Sequence, residues 1–289
     1  TKSTMAPRTI ETPVDETRSG PCYNVAKQEG SVAGSKPVLA EAPVPWHSHV
    51  VVAGMLSFFV YTFPSMESLD EVATVETFTK VLFPEYISLE VITAMRLLFA
   101  FIVFFDCIYA ILWGDWDKDT DYEPNSKLVT ITIPLRGILL QPDRSIWKGL
   151  LPMTSFTMVS FFVLGISFFL SGSISLLHIL SIDASPWLLR VALLLFECAA
   201  PTALLVSAVV KYVLWPMALK QGSGNSFVLS HPITLLEHNG NVIMALTEVA
   251  LLGGLPVRLG DIAIAPLFGI CYVYFSWWMM DKWAEKDKG

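Results

Sequence analysis

The chain has 289 residues, of which 53% are hydrophobic and only 16% charged, with a mean hydropathy of +0.55. An ordinary soluble domain carries roughly 25% charged residues, so this composition is that of a membrane protein. Its 26 acidic and 19 basic residues give a formal net charge of -7, which excludes the global cationic field that holds nucleic acid by counterion release.

Residues 1–46 are rich in Ser, Thr, Pro and Gly, and carry five basic and five acidic residues. They lack the apolar period that drives packing, and predict a disordered or extended polar tail. Because the chain begins at Thr1, a targeting peptide lost upstream is one reading of this end. Beyond the tail, apolar runs at 49–64, 86–113, 151–171, 187–216, 231–253 and 262–280 approach the roughly 20 residues needed to cross a bilayer. They predict an all-α, polytopic helix bundle over 47–280 with about six spans, or five if the short first run, which stops at Pro64, does not cross. A short charged tail, 281–289, follows.

With six spans, the tails and the loops 114–150 and 217–230 collect 14 Lys and Arg residues on one side, against Lys80 and Arg258 on the other. That asymmetry places both termini on the positive side, whether cytosolic, stromal or matrix. The 114–148 loop opens with Asp115, Asp117, Asp119, Asp121 and Glu123 and continues as LVTITIPL (128–135), which reads as a short interfacial strand. Its acidic spacing lacks the central Gly and terminal Glu of an EF-hand, so it reads as a solvated acidic loop.

Cys22, Cys107, Cys198 and Cys271 are scattered without a CxxC pair, so neither a zinc site nor a disulfide framework is expected. No phosphate-cradling Gly-rich loop, G-x-S-x-G elbow or H-E-x-x-H pair occurs. Chemistry must therefore come from polar residues inside the apolar runs, where each ionisable group is costly enough to need a reason. These are Glu90, Arg96, Asp106, His178, Glu197, Lys211, His238 and Glu248.

Arg96 and Asp106 stand ten residues apart on one run, about 15 Å along a helix. They cannot pair with each other, and each needs a partner on another helix. Lys211 is expected to snorkel to the interface. The densest polar stretch is EHNGN (237–241), in which His238 and Asn241 share a helix face. Glu248, ten residues beyond His238, is too far along the axis to orient its ring directly. The run PMTSFTMVS supplies hydroxyls at Thr154, Ser155, Thr157 and Ser160, and a hydroxyl set against an imidazole is the arrangement that activates a weak nucleophile.

HNGNVIMALTEVALLGGLPVR (238–258), followed by YVYFSWW (272–278), resembles the rolling stone-like proteins and, through them, the androgen-inducible membrane hydrolases. The match falls on His238, Asn241, Glu248, Pro256, Val257 and Arg258. WKGLLPMTSFT (147–157) and PTALLVSAVVKYVLW (201–215) are weaker matches. The resemblance implies a multi-span hydrolase of fatty acid esters of hydroxy fatty acids, with Thr154 as nucleophile, His238 as base and Asn241 steadying the ring or the oxyanion. The chain departs from the family in ending soon after the aromatic run and in adding the run at 49–64 and the N-terminal tail.

The alternative is a non-catalytic accessory subunit of a large photosynthetic or respiratory organelle membrane complex, contacting partner helices through its tail, with lipid or pigment bound inside. In that case His47, His49, His178 and His238 are the candidate pigment ligands. The enzyme reading requires no cofactor and no metal. A transporter is disfavoured by the absence of internal repeats.

Overall fold

The computed structural model describes residues 45–113, 116–119, 139–141, 144–147, 150, 152–221 and 232–283. The tail through residue 44, the LVTITIPL stretch and the last six residues lie outside them, so the expectations for those segments are not addressed. Each of the six apolar runs is helical over most of its described residues, and among the described residues four helices are long and apolar enough to cross a membrane: Leu89–Leu112, Phe156–Ile179, Pro186–Met217 and Leu259–Trp278. These mark the chain as an integral membrane protein.

The expected count of about six spans is not reached on these criteria, for two physical reasons. Helix α1 (Trp46–Tyr61) has 16 residues, short of the bilayer thickness. The expected fifth span forms one helical stretch over 232–250, but its polar EHNGN core lowers its apolarity below that of a spanning helix.

Between α1 and α4 (Leu89–Leu112) lie two single-turn helices, α2 (Met66–Asp70) and α3 (Val75–Thr79). Both begin where a hydroxyl caps them: the Ser68 amide donates to Ser65 Oγ and the Thr77 amide to Thr74 Oγ1, each at 3.2 Å. Three short strands follow α4: β1 (Trp116–Asp119), β2 (Leu139–Gln141) and β3 (Arg144–Trp147). β3 pairs antiparallel with both others, Trp147 opposite Trp116 and Ile146 opposite Leu139. The strand structure therefore flanks the LVTITIPL stretch, and Asp117 and Asp119 belong to β1.

Helix α5 (Phe156–Ile179) is capped by Ser155, and α6 (Pro186–Val209) by Ser185 with Pro186 at its first position, where a missing N–H costs nothing. α6 continues through a π-turn (Val210–Leu214) into α7 (Trp215–Gln221). The 232–250 stretch is built as α8 (Pro232–Leu235), a π-turn (Leu236–Gly240) and α9 (Asn241–Ala250), and α10 (Ile264–Trp283) is the last described element.

α5 is the central helix, packed between α4 and α6. Its Met158, Phe161, Leu164 and Phe168 meet Ala100, Val103 and Cys107 of α4, and Leu193, Phe196 and Ala199 of α6, in one core. Two glycines one heptad apart bring α4 and α5 together. A Cβ at Gly165 would stand 2.6 Å from Val103 Cγ1, and one at Gly172 2.9 Å from Leu97 Cδ2. Such close approach of backbones is how helices associate where lipid competes equally for apolar surface. The same contacts show that α4 and α5 are antiparallel.

Candidate functional site

The buried ionisable groups resolve into three places. The first is Arg96. Its Nε donates to Glu248 Oε2 at 2.9 Å and its Nη2 to Glu248 Oε1 at 2.5 Å. Its Nη1 donates to Ser175 Oγ at 2.7 Å and to the Phe78 carbonyl at 2.5 Å. Arg96 and Glu248 are both 0% exposed, so the guanidinium is desolvated and four of its five N–H donors are engaged. The expected partner on another helix is found, and Glu248 is spoken for by Arg96. This is a structural joint between helices.

Ten residues further along α4, the Asp106 carboxyl lies beside that of Glu237. Both groups are buried, and neither Glu237 oxygen has a partner that donates to it. Arg96 with Glu248 and Asp106 with Glu237 thus make two rungs between α4 and the 232–250 helix, which runs antiparallel to α4.

The second place is the π-turn that carries His238. An extra residue in the turn breaks the regular hydrogen-bond ladder, a device found often at functional sites. Ser207 of α6 secures it: its Oγ donates to the His238 carbonyl, and it lies 3.2 Å from Asn241 Oδ1, which also accepts from the Val242 amide. Asn241 is buried, its oxygen turned toward α6. The His238 ring is half-buried, and its Nδ1 is buried without a hydrogen-bond partner. Buried polar atoms in proteins are overwhelmingly paired, so this nitrogen stands out as one without a structural task among the described residues.

Thr154 ends a 3-10 turn, Pro152–Thr154, just before α5, and its carbonyl accepts from Tyr272 Oη of α10 at 2.8 Å. Registered through α4, Thr154 falls beyond the last turn of that helix, whereas His238 is level with Asp106. Thr154 and His238 therefore lie toward the same end of the bundle, separated by about two turns of helix along the axis. Ser207 and Tyr272 were not singled out from sequence. Ser207 sits in an apolar run, where a lone Ser ordinarily bonds to its own backbone, and only the fold shows that it bonds across helices.

The third place gathers Glu197 of α6 with Arg258 and Asp261 before α10. Arg258 Nε contacts Asp261 Oδ2 at 2.5 Å and stands 3.6 Å from Glu197 Oε1. In the sequence Arg258 figures as a loop charge and in the PVR match, with no partner indicated; the carboxyls around it come from positions 61 residues and three residues away.

The remaining candidates disperse. Glu90 is exposed in the first turn of α4, where an acidic residue suits the helix dipole. Lys211 is exposed and lies inside a helix that runs on to Gln221, with its Nζ 5.4 Å from the centre of the Tyr212 ring. His47 and His49 are exposed on α1, with His49 edge-on to Trp277 at 4.7 Å, and His178 is exposed in the last turn of α5. Cys107 and Cys198 are buried and Cys271 is exposed, all three as free thiols. Among the described residues no three His, Cys, Asp or Glu side chains are grouped to hold a metal. No protein-family model, curated protein or solved structure matches the chain.

Proposed function

We propose that the chain is a membrane-embedded hydrolase of fatty acid esters in which His238 is the general base. The single observation that carries this reading is the buried, unpartnered Nδ1 of His238, presented by a π-turn that Ser207 ties to α6. The resemblance supplies the rest. In the family's mechanism Thr154 is the nucleophile; with about two turns of helix between them, its proton reaches His238 through bridging water as Oγ attacks the ester carbonyl, passes on to the departing alkoxide, and water hydrolyses the acyl-threonine. Both termini lie on the positively charged side of the membrane in this reading.

The test is ester hydrolysis by the purified full chain in detergent micelles, with a fatty acid ester of a hydroxy fatty acid as substrate. Loss of turnover in both His238→Ala and Thr154→Ala supports the pair. Loss in His238→Ala alone makes water the nucleophile, since Thr154 stands about two turns away. Full turnover in His238→Ala overturns the reading.

A second reading, a non-catalytic subunit of a larger membrane complex, is favoured by α1, none of whose 16 residues is buried. Comigration of the native protein with such a complex, together with an inactive parent chain, would favour it.

A further inference from the structure

The cluster at Glu197 adjoins a cavity away from His238. Glu197, Pro201 and Leu205 recur every four residues along α6 and so share one face. That face borders a cavity of about 550 Å³, closed on its other side by Arg258, Asp261 and Ile262. This volume falls within the range of small-molecule sites, and the walls are apolar except where the cluster meets them. Leu205 and Ile262 are exposed, so the cavity opens sideways, toward the bilayer.

Its polar end is short of donors. Glu197 is 3% exposed, and neither carboxyl oxygen has a hydrogen-bond partner among the described residues. The Arg258 guanidinium and main-chain amide face it without reaching hydrogen-bond geometry. Arg258 is committed instead to Asp261 Oδ2 and, at 3.2 Å, to the Ser68 carbonyl. The Asp261 carboxyl adjoins that of Glu197, and Asp261 Oδ1 and Arg258 Nη2 are also unpartnered. Two carboxyls thus face one guanidinium, and three acceptor oxygens without partners lie about a guanidinium whose Nη2 is also unpaired. Buried oxygens in this state are costly until something donates to them.

We infer that the cavity binds a single-chain amphiphile whose head is an ammonium beside a hydroxyl, a long-chain amino alcohol. The ammonium donates to Glu197 and Asp261, whose oxygens lack donors. The hydroxyl accepts from Arg258 Nη2, and the alkyl chain lies along Pro201, Leu205 and Ile262. A fatty acid adds a third carboxylate and brings no donor, so the same count excludes it. The site is separate from His238, and the inference stands whether or not the chain hydrolyses esters.

The test is photo-crosslinking of the full chain in lipid nanodiscs with 2-aminooctadecan-1-ol bearing a mid-chain diazirine. The comparison probes are octadecan-1-ol and octadecanoic acid bearing the same group. The amino alcohol is expected to label peptides spanning 201–205 or 257–266, with competition by the unlabelled compound. Glu197→Gln is expected to reduce that labelling about tenfold, as the loss of a charged hydrogen bond does. Leu205→Trp, which fills the cavity from the bilayer side without touching the charges, is expected to abolish it. Should Glu197→Gln fail to fold, judged by helical circular dichroism and elution profile, Leu205→Trp decides alone. Equal labelling by the alcohol or the acid, or labelling that survives in every folded variant, overturns the inference.

Discussion

Arg96 and Glu248, 152 residues apart in the chain, meet as a two-pronged ion pair with no solvent contact at either end. Removing one partner strands a desolvated charge. Arg96→Ala or Glu248→Ala is therefore expected to cost about 3–5 kcal/mol, read as a large fall in the unfolding midpoint of the detergent-solubilised protein. The paired replacement Arg96→Met with Glu248→Leu leaves no orphan and is expected to recover most of that loss. A double variant no better than the singles would show that Arg96 acts through Ser175 and the Phe78 carbonyl instead.

Arg190 and Asp70 form the opposite case. Their bridge is also two-pronged, Nε to Oδ1 at 2.5 Å and Nη2 to Oδ2 at 2.9 Å, but it is open to solvent. Exposed pairs gain little over hydration and are screened by salt. Asp70→Asn is expected to leave the unfolding midpoint within experimental error, at low and at high ionic strength alike.

Gly165 and Gly172 set the spacing of α4 and α5. Adding bulk there pushes Val103 and Leu97 out of a close-packed seam. Gly165→Val and Gly172→Val are each expected to cost about 1–3 kcal/mol, whereas Gly54→Ala on α1, where a Cβ meets nothing, should be silent. Thermal unfolding of the three variants side by side is the check.

Ser207 holds the π-turn from outside it. Ser207→Ala removes the donor to the His238 carbonyl and is expected to lower stability by about 1 kcal/mol. If His238 is the base, it should lower the turnover number for ester hydrolysis more than it raises KM, since the ring loses its support. An unchanged turnover number would mean that the turn is held without Ser207.

The direction of the helices is testable by labelling. Because α4 and α5 are antiparallel, single cysteines replacing Ser65 and Asp183 in a cysteine-free background are expected to react with a membrane-impermeant maleimide from one face. A cysteine replacing Trp113 should react from the other. Reaction of all three from one face would remove α4 and α5 as crossing helices.

Helix positions were readable because a run of apolar residues has few other fates in a bilayer, and three of the four helices long and apolar enough to cross begin and end close to where hydropathy places them, while Phe156–Ile179 runs eight residues past the expected 171, through the Ser-containing turns SGSIS. The need of Arg96 for a partner was also readable, from the cost of a lone charge. Its identity was not, since Glu248 and Glu237 are equivalent by residue type and only the antiparallel register assigns one to Arg96 and the other to Asp106. α2 and α3 went unseen because single capped turns carry too few residues for a period. The cluster of Glu197, Arg258 and Asp261 went unseen because nothing local relates α6 to the segment before α10.

The π-turn at 236–240 has a bearing on how this sequence can change. An α-helix advances about 100° per residue, so the inserted residue sets the angular phase of everything after it. Deleting Gly240 would restore an ordinary helix and swing α9 by about that angle relative to α8. Glu248 then meets Arg96 only if Glu237 swings away from Asp106, and the reverse holds as well. The stretch is thus intolerant of a single-residue deletion even though it tolerates a kinked ladder, and a length change in EHNGN is expected to be harsher than any substitution within it.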